Sequence, residues 1–314
     1  MEIRRAGASG LQLSRLGLGT MTWGRDTDEH EAADQCRAFI DAGGNFIDTS
    51  NTYGDGDSER VIGGLVGTLF NREQVVIATK SGLSFPDGTR IVNASRQSLI
   101  AELDRSLARL GTDFVDMWQI HAWDSHTPLD ETLSALDYAY TTGRARYVGV
   151  SNFSAWQLAR AATKQASNSM KAPISTIQCE YSLLNRDVEI ELLDCAIDCG
   201  TGFIAWAPLA RGVLTGKYRN GIPSDSRGAA PHFAKHIEPY LDSRNSRIVE
   251  AVAVAAQGLG YSPLEVALVW ARDAYGVTSS IIGARTGAQL RGLLKSEEIS
   301  LPEIVRSALN DVSA

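Results

Sequence analysis

The chain has 314 residues, 44% of them hydrophobic and 21% charged, an ordinary globular composition within the reach of one all-parallel α/β barrel. A net charge of −7 with no run of basic residues excludes a nucleic-acid backbone as partner, because that affinity rests on clustered Lys and Arg. Cys36, Cys179, Cys195 and Cys199 are too scattered for a secreted disulfide framework, and neither a signal-peptide core nor an apolar run of roughly 18 residues is present, so a cytoplasmic chain without a membrane span is expected.

In chain order, EIRRAGASGLQLSRLG comes first, with Gly7 and Gly10 between alternating runs; it reads as a hairpin placed to plug the lower end of a barrel. Short β-rich apolar runs then alternate with longer amphipathic segments. The strand candidates end at Leu18, Asp48, Thr79, Ile120, Val150, Gln178, Trp206 and Gly283. DEHEAADQCRAFIDAGG, SRQSLIAELDRSLARLG, DETLSALDYAYTTG and SAWQLARAATKQA lie between them and read as helices. In the second of these, Leu99, Leu103, Leu107 and Leu110 share one face and Gly111 suits a helix stop. Strands alternating with helices in this way predict a closed (β/α)8 TIM barrel, taken as one domain over residues 1–314. After the seventh strand, residues 207–241 carry Gly and Pro with little periodicity and are expected to form a lid-like loop.

In such a barrel the carboxyl ends of the strands converge on one face. Asp48, Lys80 and His121 stand at the ends of three neighbouring strands, and Tyr53 follows in the loop DTSNTYG. Tyrosine is a poor acid near neutrality, but a neighbouring ammonium favours the phenolate and a carboxylate beyond it keeps the lysine charged. A histidine opposite can hydrogen-bond a substrate oxygen, so the four together predict polarisation and protonation of a carbonyl.

The series GLGTMTWG, FIDTSNTYGDGDSE, VVIATK, MWQIH, GVSNFS, QCEYSLLNR, AWAPLARGVLTGKY and IIGART resembles the aldo-keto reductase superfamily across nearly the whole chain. The likeness is closer to the branch of potassium-channel β subunits and bacterial reductases than to aldose reductase. It implies a catalytic tetrad of Asp48, Tyr53, Lys80 and His121, with Tyr53 as general acid while hydride passes from NADPH to an aldehyde or ketone. It also implies coenzyme contacts at Gly19, Thr20, Met21 and Asp48, with Ser151, Asn152 and Gln178 on the carboxamide and Trp206 stacked on the nicotinamide. A strap over the pyrophosphate is implied at Ala207, Pro208, Leu209, Arg211, Gly212 and Lys217, and an adenosine end at Gly283, Arg285 and Gln289. Arg285 would meet the 2′-phosphate and favour NADPH over NADH. Gly292 and Leu293 depart from the acidic and asparagine residues usual in related sequences. Trp23, Phe85 and Trp123, with Tyr53 and His121, would line an apolar substrate pocket.

Each residue also has a plainer reading. Asp48 could cap a turn, His121 could be a satisfied core histidine, and Ser151 with Asn152 could cap the helix that contains Trp156. Gly17 and Gly19 fail the dinucleotide fingerprint because Thr22 fills its third glycine position. Cys195 with Cys199 and His232 with His236 are spaced four apart but lack partner ligands, so no metal is expected. Three alternatives stay beside the reductase: a specialised keto-sugar reductase, an NADPH-binding accessory subunit with slow turnover, and a Schiff-base lyase using Lys80.

Overall fold

Parallel strands covered on both faces should be buried along most of their length, and the barrel strands here are, with Arg146 the exposed exception. The structure, a computed structural model, describes residues 1–167, 171–224 and 226–314. Its strands are β1 (Ile3–Arg5), β2 (Gln12–Ser14), β3 (Leu16–Gly19), β4 (Phe46–Asp48), β5 (Val76–Ser81), β6 (Leu83–Ser84), β7 (Ile91–Val92), β8 (Val115–Ile120), β9 (Ala145–Ser151), β10 (Ile174–Glu180), β11 (Gly202–Trp206) and β12 (Val277–Ile282). Strands β3, β4, β5, β8, β9, β10, β11 and β12 form a closed parallel barrel in chain order, sealed where β12 pairs with β3. This is the predicted (β/α)8 barrel.

The helices are α1 (Glu29–Asp41), α2 (Asp57–Leu65), α3 (Arg96–Leu110), α4 (Leu129–Thr141), α5 (Ala155–Ala166), α6 (Leu192–Asp198), α7 (Pro231–Ile237), α8 (Ser243–Leu259), α9 (Pro263–Arg272), α10 (Gly287–Leu294) and α11 (Glu303–Ser313). Leu99, Leu103, Leu107 and Leu110 of α3 are all buried, each contributing about 1.5–3 kcal/mol of transfer free energy. Ser95 caps the helix at its start, and Gly111 ends it at φ 63°.

The antiparallel pair β1–β2 forms the expected hairpin. Its Ala6, Leu11 and Leu13 join Phe46, Ala78, Met117, Ile204 and Ile281 of the barrel strands in one apolar cluster, which fills the lower lumen. Gly7 turns the hairpin at φ 54° and lies so close to Gly200 that a Cβ would sit 2.2 Å from its carbonyl oxygen. Any side chain there would lift the plug. With the lower end filled, the polar residues at the strands' carboxyl ends face the open rim. Here β6 and β7 add a short antiparallel hairpin between β5 and α3.

Candidate active site

Asp48 is the last residue of β4 and Lys80 the penultimate residue of β5, and both are almost wholly buried. Lys80 Nζ donates to Asp48 Oδ1 at 2.8 Å, to Asp48 Oδ2 at 2.7 Å and to the Thr49 carbonyl at 2.9 Å. A buried ion pair is tolerated only when its hydrogen-bonding capacity is met, and this one has three acceptors around the ammonium. Burial by itself would lower the Lys80 pKa, but Asp48 and Tyr53 together hold it above its ordinary value.

Tyr53 is set by the turn after β4. Its amide donates to the Ser50 carbonyl at 3.1 Å, and Gly54, Asp55 and Gly56 follow at φ 58°, 53° and 91°, folding the chain back before α2. The Tyr53 ring centroid lies 5.3 Å from Lys80 Nζ. Burial raises the Tyr53 pKa while the Lys80 charge pulls it down, and the balance leaves the phenol protonated at neutral pH.

His121 follows β8, held by its amide to the Ser81 carbonyl at 2.8 Å. Its ring stands edge-on to Tyr53, centroids 6.3 Å apart at 80°. Burial, then the charges of Lys80 and Arg90, push its pKa down to about 3, so the imidazole is neutral. The four residues expected to act together are therefore brought together.

Across the lumen the ends of β9, β10 and β11 carry a second hydrogen-bonded row. Gln178 Nε2 donates to Asp48 Oδ1 at 2.8 Å, and Ser151 Oγ donates to the Gln178 carbonyl at 2.9 Å. Asn152, at φ 56°, donates through Nδ2 to the His121 carbonyl and to Ser151 Oγ, both at 3.0 Å. Its Oδ1 accepts from Trp206 Nε1 at 3.1 Å, which fixes the indole at the end of β11. Neither Ser151 nor Asn152 caps α5. Ser154 does so, in a capping box with Gln157, because it lies at the helix boundary.

Beyond Trp206, Ala207, Ala210 and Arg211 all have positive φ, at 51°, 46° and 58°, and Gly212 follows at 95°. Left-handed backbone costs an alanine about 1–2 kcal/mol, and such strain gathers at binding and catalytic sites; here the Ala210 and Gly212 amides close the turn on the Ala207 and Leu209 carbonyls at 2.8 and 2.9 Å. Pro208 is buried and Leu209 half-buried, while Lys217 Nζ lies 3.2 Å from the Cβ position of Gly212. Arg211 lies 5.5 Å from the Trp206 ring and 5.8 Å from that of Tyr240, and its Nε is buried without a hydrogen-bond partner among the described residues.

On the β3 side, Gly19 pairs with Asp48 in register, the buried Thr20 donates through Oγ1 to the Asp48 carbonyl at 3.0 Å, and Met21 is exposed. At β12, Gly283 is exposed and Arg285 half-buried, its amide donating to Gln289 Oε1 at 2.9 Å. The Gly287 amide, at the start of α10, donates to Glu31 Oε2 at 2.8 Å. Leu293 packs into the core, whereas Gly292 has open space at its Cβ position.

The aromatic residues divide differently from expectation. Trp23 is wholly enclosed rather than lining a pocket, its Nε1 donating to Gln35 Oε1 at 3.1 Å, because the turn after β3 directs it against α1. Phe85 is 47% exposed on the rim hairpin. Trp123 meets Phe153 at 5.1 Å and Trp156 at 5.3 Å, both edge-on, and Trp156 is 57% exposed. Trp156 was not anticipated as part of this cluster; its place two residues after Ser154, at the start of α5, was the available signal.

Residues 207–241 are not simply loop. They contain α7 and three 3-10 turns, of which Ala210–Thr215 is the longest, with Asp225 and the side chains of 227 and 231–233 outside the described residues. The His232 side chain of the His232–His236 pair therefore lies outside them too. The segment is fastened: Tyr240 Oη donates to Glu180, the last residue of β10, and Arg211 Nη2 lies 3.9 Å from the same carboxylate. Burial raises the pKa of Glu180, and burial with the Glu180 contact pushes that of Tyr240 up to about 12. All four cysteines are free thiols. Among the described residues no three His, Cys, Asp or Glu gather as a metal site, and no single helix is long and apolar enough to cross a membrane.

Residues 15–314 match the aldo/keto reductase family. The uncharacterized oxidoreductase YrpG of Bacillus subtilis is 37% identical over 99% of this chain and 96% of its own. The L-glyceraldehyde 3-phosphate reductase of Escherichia coli strain K12 is 37% identical over 92% of this chain and 86% of its own. A probable voltage-gated potassium channel β subunit of Arabidopsis thaliana is 34% identical over 95% and 92%. With that match running through the barrel and its polar rim, this chain belongs to the aldo/keto reductase family, oxidoreductases that act on carbonyls.

Proposed function

We propose that this protein reduces aldehydes or ketones to alcohols with NADPH, using Tyr53 as the general acid. The observation that carries the reading is the Lys80 ammonium, clamped by Asp48 and 5.3 Å from the Tyr53 ring. When bound, NADPH would supply the hydride that the carbonyl carbon accepts. Tyr53 gives its phenolic proton to the carbonyl oxygen, and the phenolate left behind is stabilised by Lys80, which keeps its own proton because of Asp48. His121, neutral, hydrogen-bonds the same oxygen and orients the carbonyl.

The residues present suit a dinucleotide. Trp206, held by Asn152, offers an indole at the strand end for a planar ring, and Gln178 and Ser151 lie beside it for a carboxamide. Arg211 with its unpartnered buried Nε and Lys217 offer donors for phosphates. Arg285 would serve the 2′-phosphate, which supports NADPH over NADH. The aromatic group of Trp123 and Trp156 supports a partly apolar substrate, and the name of the Escherichia coli relative makes L-glyceraldehyde 3-phosphate one compound to test.

The test is a fluorescence titration with NADPH and NADH, coupled to turnover on a panel of aldehydes, ketones, keto-sugars and phosphorylated aldehydes. Saturable binding of NADPH with steady turnover on some of the panel is expected. Failure to bind either nucleotide would sink the reading, and a Lys80 adduct trapped by borohydride would move it to a Schiff-base lyase.

A further inference from the structure

Ser50 lies two residues after Asp48 and is wholly buried, yet the mechanism above gives it no part. It is hydrogen-bonded to both proton-handling residues of the site. Its carbonyl accepts from the Tyr53 amide at 3.1 Å, and its Oγ lies 3.1 Å from His121 Nδ1. A neutral imidazole carries one proton, and the partner of one ring nitrogen decides which nitrogen holds it.

The surroundings of Ser50 Oγ bear on that choice. The Thr52 amide donates to it at 3.2 Å, and the Thr52 hydroxyl lies 3.0 Å away. If both donate, the two acceptor positions of Ser50 Oγ are filled and its single proton is free to go out to His121 Nδ1. A proton on Nδ1 would instead compete with these two donors for the same oxygen. The opposite ring nitrogen, Nε2, has no hydrogen-bond partner among the described residues, and the half-buried ring stands edge-on to Tyr53.

We infer that Ser50 is a positioning residue: its hydroxyl donates to His121 Nδ1 and so places the imidazole proton on Nε2, the nitrogen left free to donate to a substrate oxygen. The inference rests on the reductase reading for its use and for the kinetic part of its test, but not for the tautomer measurement. The groups facing the ring are Tyr53, Lys80 and Arg90, and the two cations both act against a second ring proton. The imidazole thus remains neutral, and Ser50 selects between its two neutral forms. Asn51 Oδ1, 3.1 Å from Ser50 Oγ, is the competing acceptor; Asn51 is half-buried, so water can serve it instead.

The decisive measurement is nitrogen-15 NMR of the full chain labelled at histidine, with the His121 signals assigned by their loss in His121→Gln. A bare Nδ1 and a protonated Nε2 are expected in the unaltered protein. In Ser50→Ala the Nδ1-protonated form should appear, and the single-turnover rate at saturating coenzyme should fall roughly fivefold to tenfold, as loss of one oriented hydrogen bond implies, with coenzyme affinity unchanged. Ser50→Thr should restore both the tautomer and the rate. A protonated Nδ1 in the unaltered protein, or an unmoved tautomer in Ser50→Ala, overturns the inference. The first of these outcomes needs no variant to fold. A protein that bound no nicotinamide nucleotide but showed the expected tautomer would defeat the proposed function and leave the Ser50 assignment standing.

Discussion

Gln178 and Asp48 sit on diametrically opposite strands of the barrel, and the 2.8 Å hydrogen bond from Gln178 Nε2 to Asp48 Oδ1 spans the lumen. It joins the row of β9, β10 and β11 to the carboxylate that orients Lys80. Gln178→Leu should therefore do more than weaken coenzyme binding: by loosening Asp48 it should slow single turnover at saturating coenzyme roughly fivefold. Rapid mixing separates the two effects. An unchanged single-turnover rate would mean that the bond across the lumen has no bearing on the proton donor.

Tyr53→Phe and Lys80→Met should fail in different ways. The first removes only the phenolic hydroxyl, so turnover should fall roughly 10²- to 10⁴-fold with little change in melting temperature or coenzyme affinity. The second leaves the buried Asp48 without its cation, which should cost about 3–5 kcal/mol of stability besides activity. Urea unfolding of the two variants alongside kinetics checks both. Equal destabilisation of both would make Tyr53 a structural residue.

The strands were legible because each is a short-range fact. A parallel strand buried on both faces shows as an apolar run, and Asp48, Lys80 and His121 then inherit their common rim from the barrel's geometry. What was illegible depends on direction or distance. Whether Trp23 faces inward or outward is decided by a turn of a few residues, which no periodicity marks. The bond from Tyr240 to Glu180 joins positions sixty residues apart. Helix α7 is only seven residues long, too short for an apolar stripe to show, and so residues 207–241 read as loop. Ser151, Asn152 and Ser154 all satisfy the preference for a helix cap, and only the end of β9 at Ser151 and the start of α5 at Ala155 single out Ser154.

The depressed pKa of His121 has a sign that can be measured. In the unfolded chain its imidazole takes a proton near pH 6.5, while in the folded protein it stays neutral down to about 3. Between these values the unfolded state binds the extra proton, so this group makes stability fall as pH drops from 6.5 toward 3, and contributes no slope above that window. His121→Gln should reduce the pH dependence of unfolding in that window by up to about one proton. Urea midpoints at several pH values give the slope; an identical slope in the variant would show that His121 titrates normally.

Tyr240→Phe should release the segment after β11. The hydroxyl donates to Glu180, and the Arg211 guanidinium lies 5.5 Å from the Trp206 ring and 5.8 Å from that of Tyr240. Loss of the bond should cost about 1 kcal/mol and speed coenzyme dissociation several-fold, with the chemical step unaffected. Stopped-flow displacement measures the release rate directly. A slower or unchanged release would mean that the strap is held by contacts other than Glu180.

Glu31 offers the sharpest test of coenzyme choice. Its carboxylate accepts from the Gly287 amide at the N-terminus of α10, and Asp34 of the same helix α1 packs so tightly there that a Cβ on Gly287 would lie 1.7 Å from its Oδ2. Asp34 is paired with Arg291 at 3.0 Å, but Glu31 brings a negative charge to the donors beside Arg285, where a 2′-phosphate is proposed to bind. A phosphate there must compete with that carboxylate, whereas NADH, which lacks the phosphate, does not. Glu31→Gln should therefore tighten NADPH roughly threefold to tenfold and leave NADH nearly unchanged, and the gain should shrink with added salt. Paired titrations at low and high ionic strength read the ratio. If both coenzymes respond equally, the start of α10 does not meet the 2′-phosphate and the preference for NADPH loses its basis.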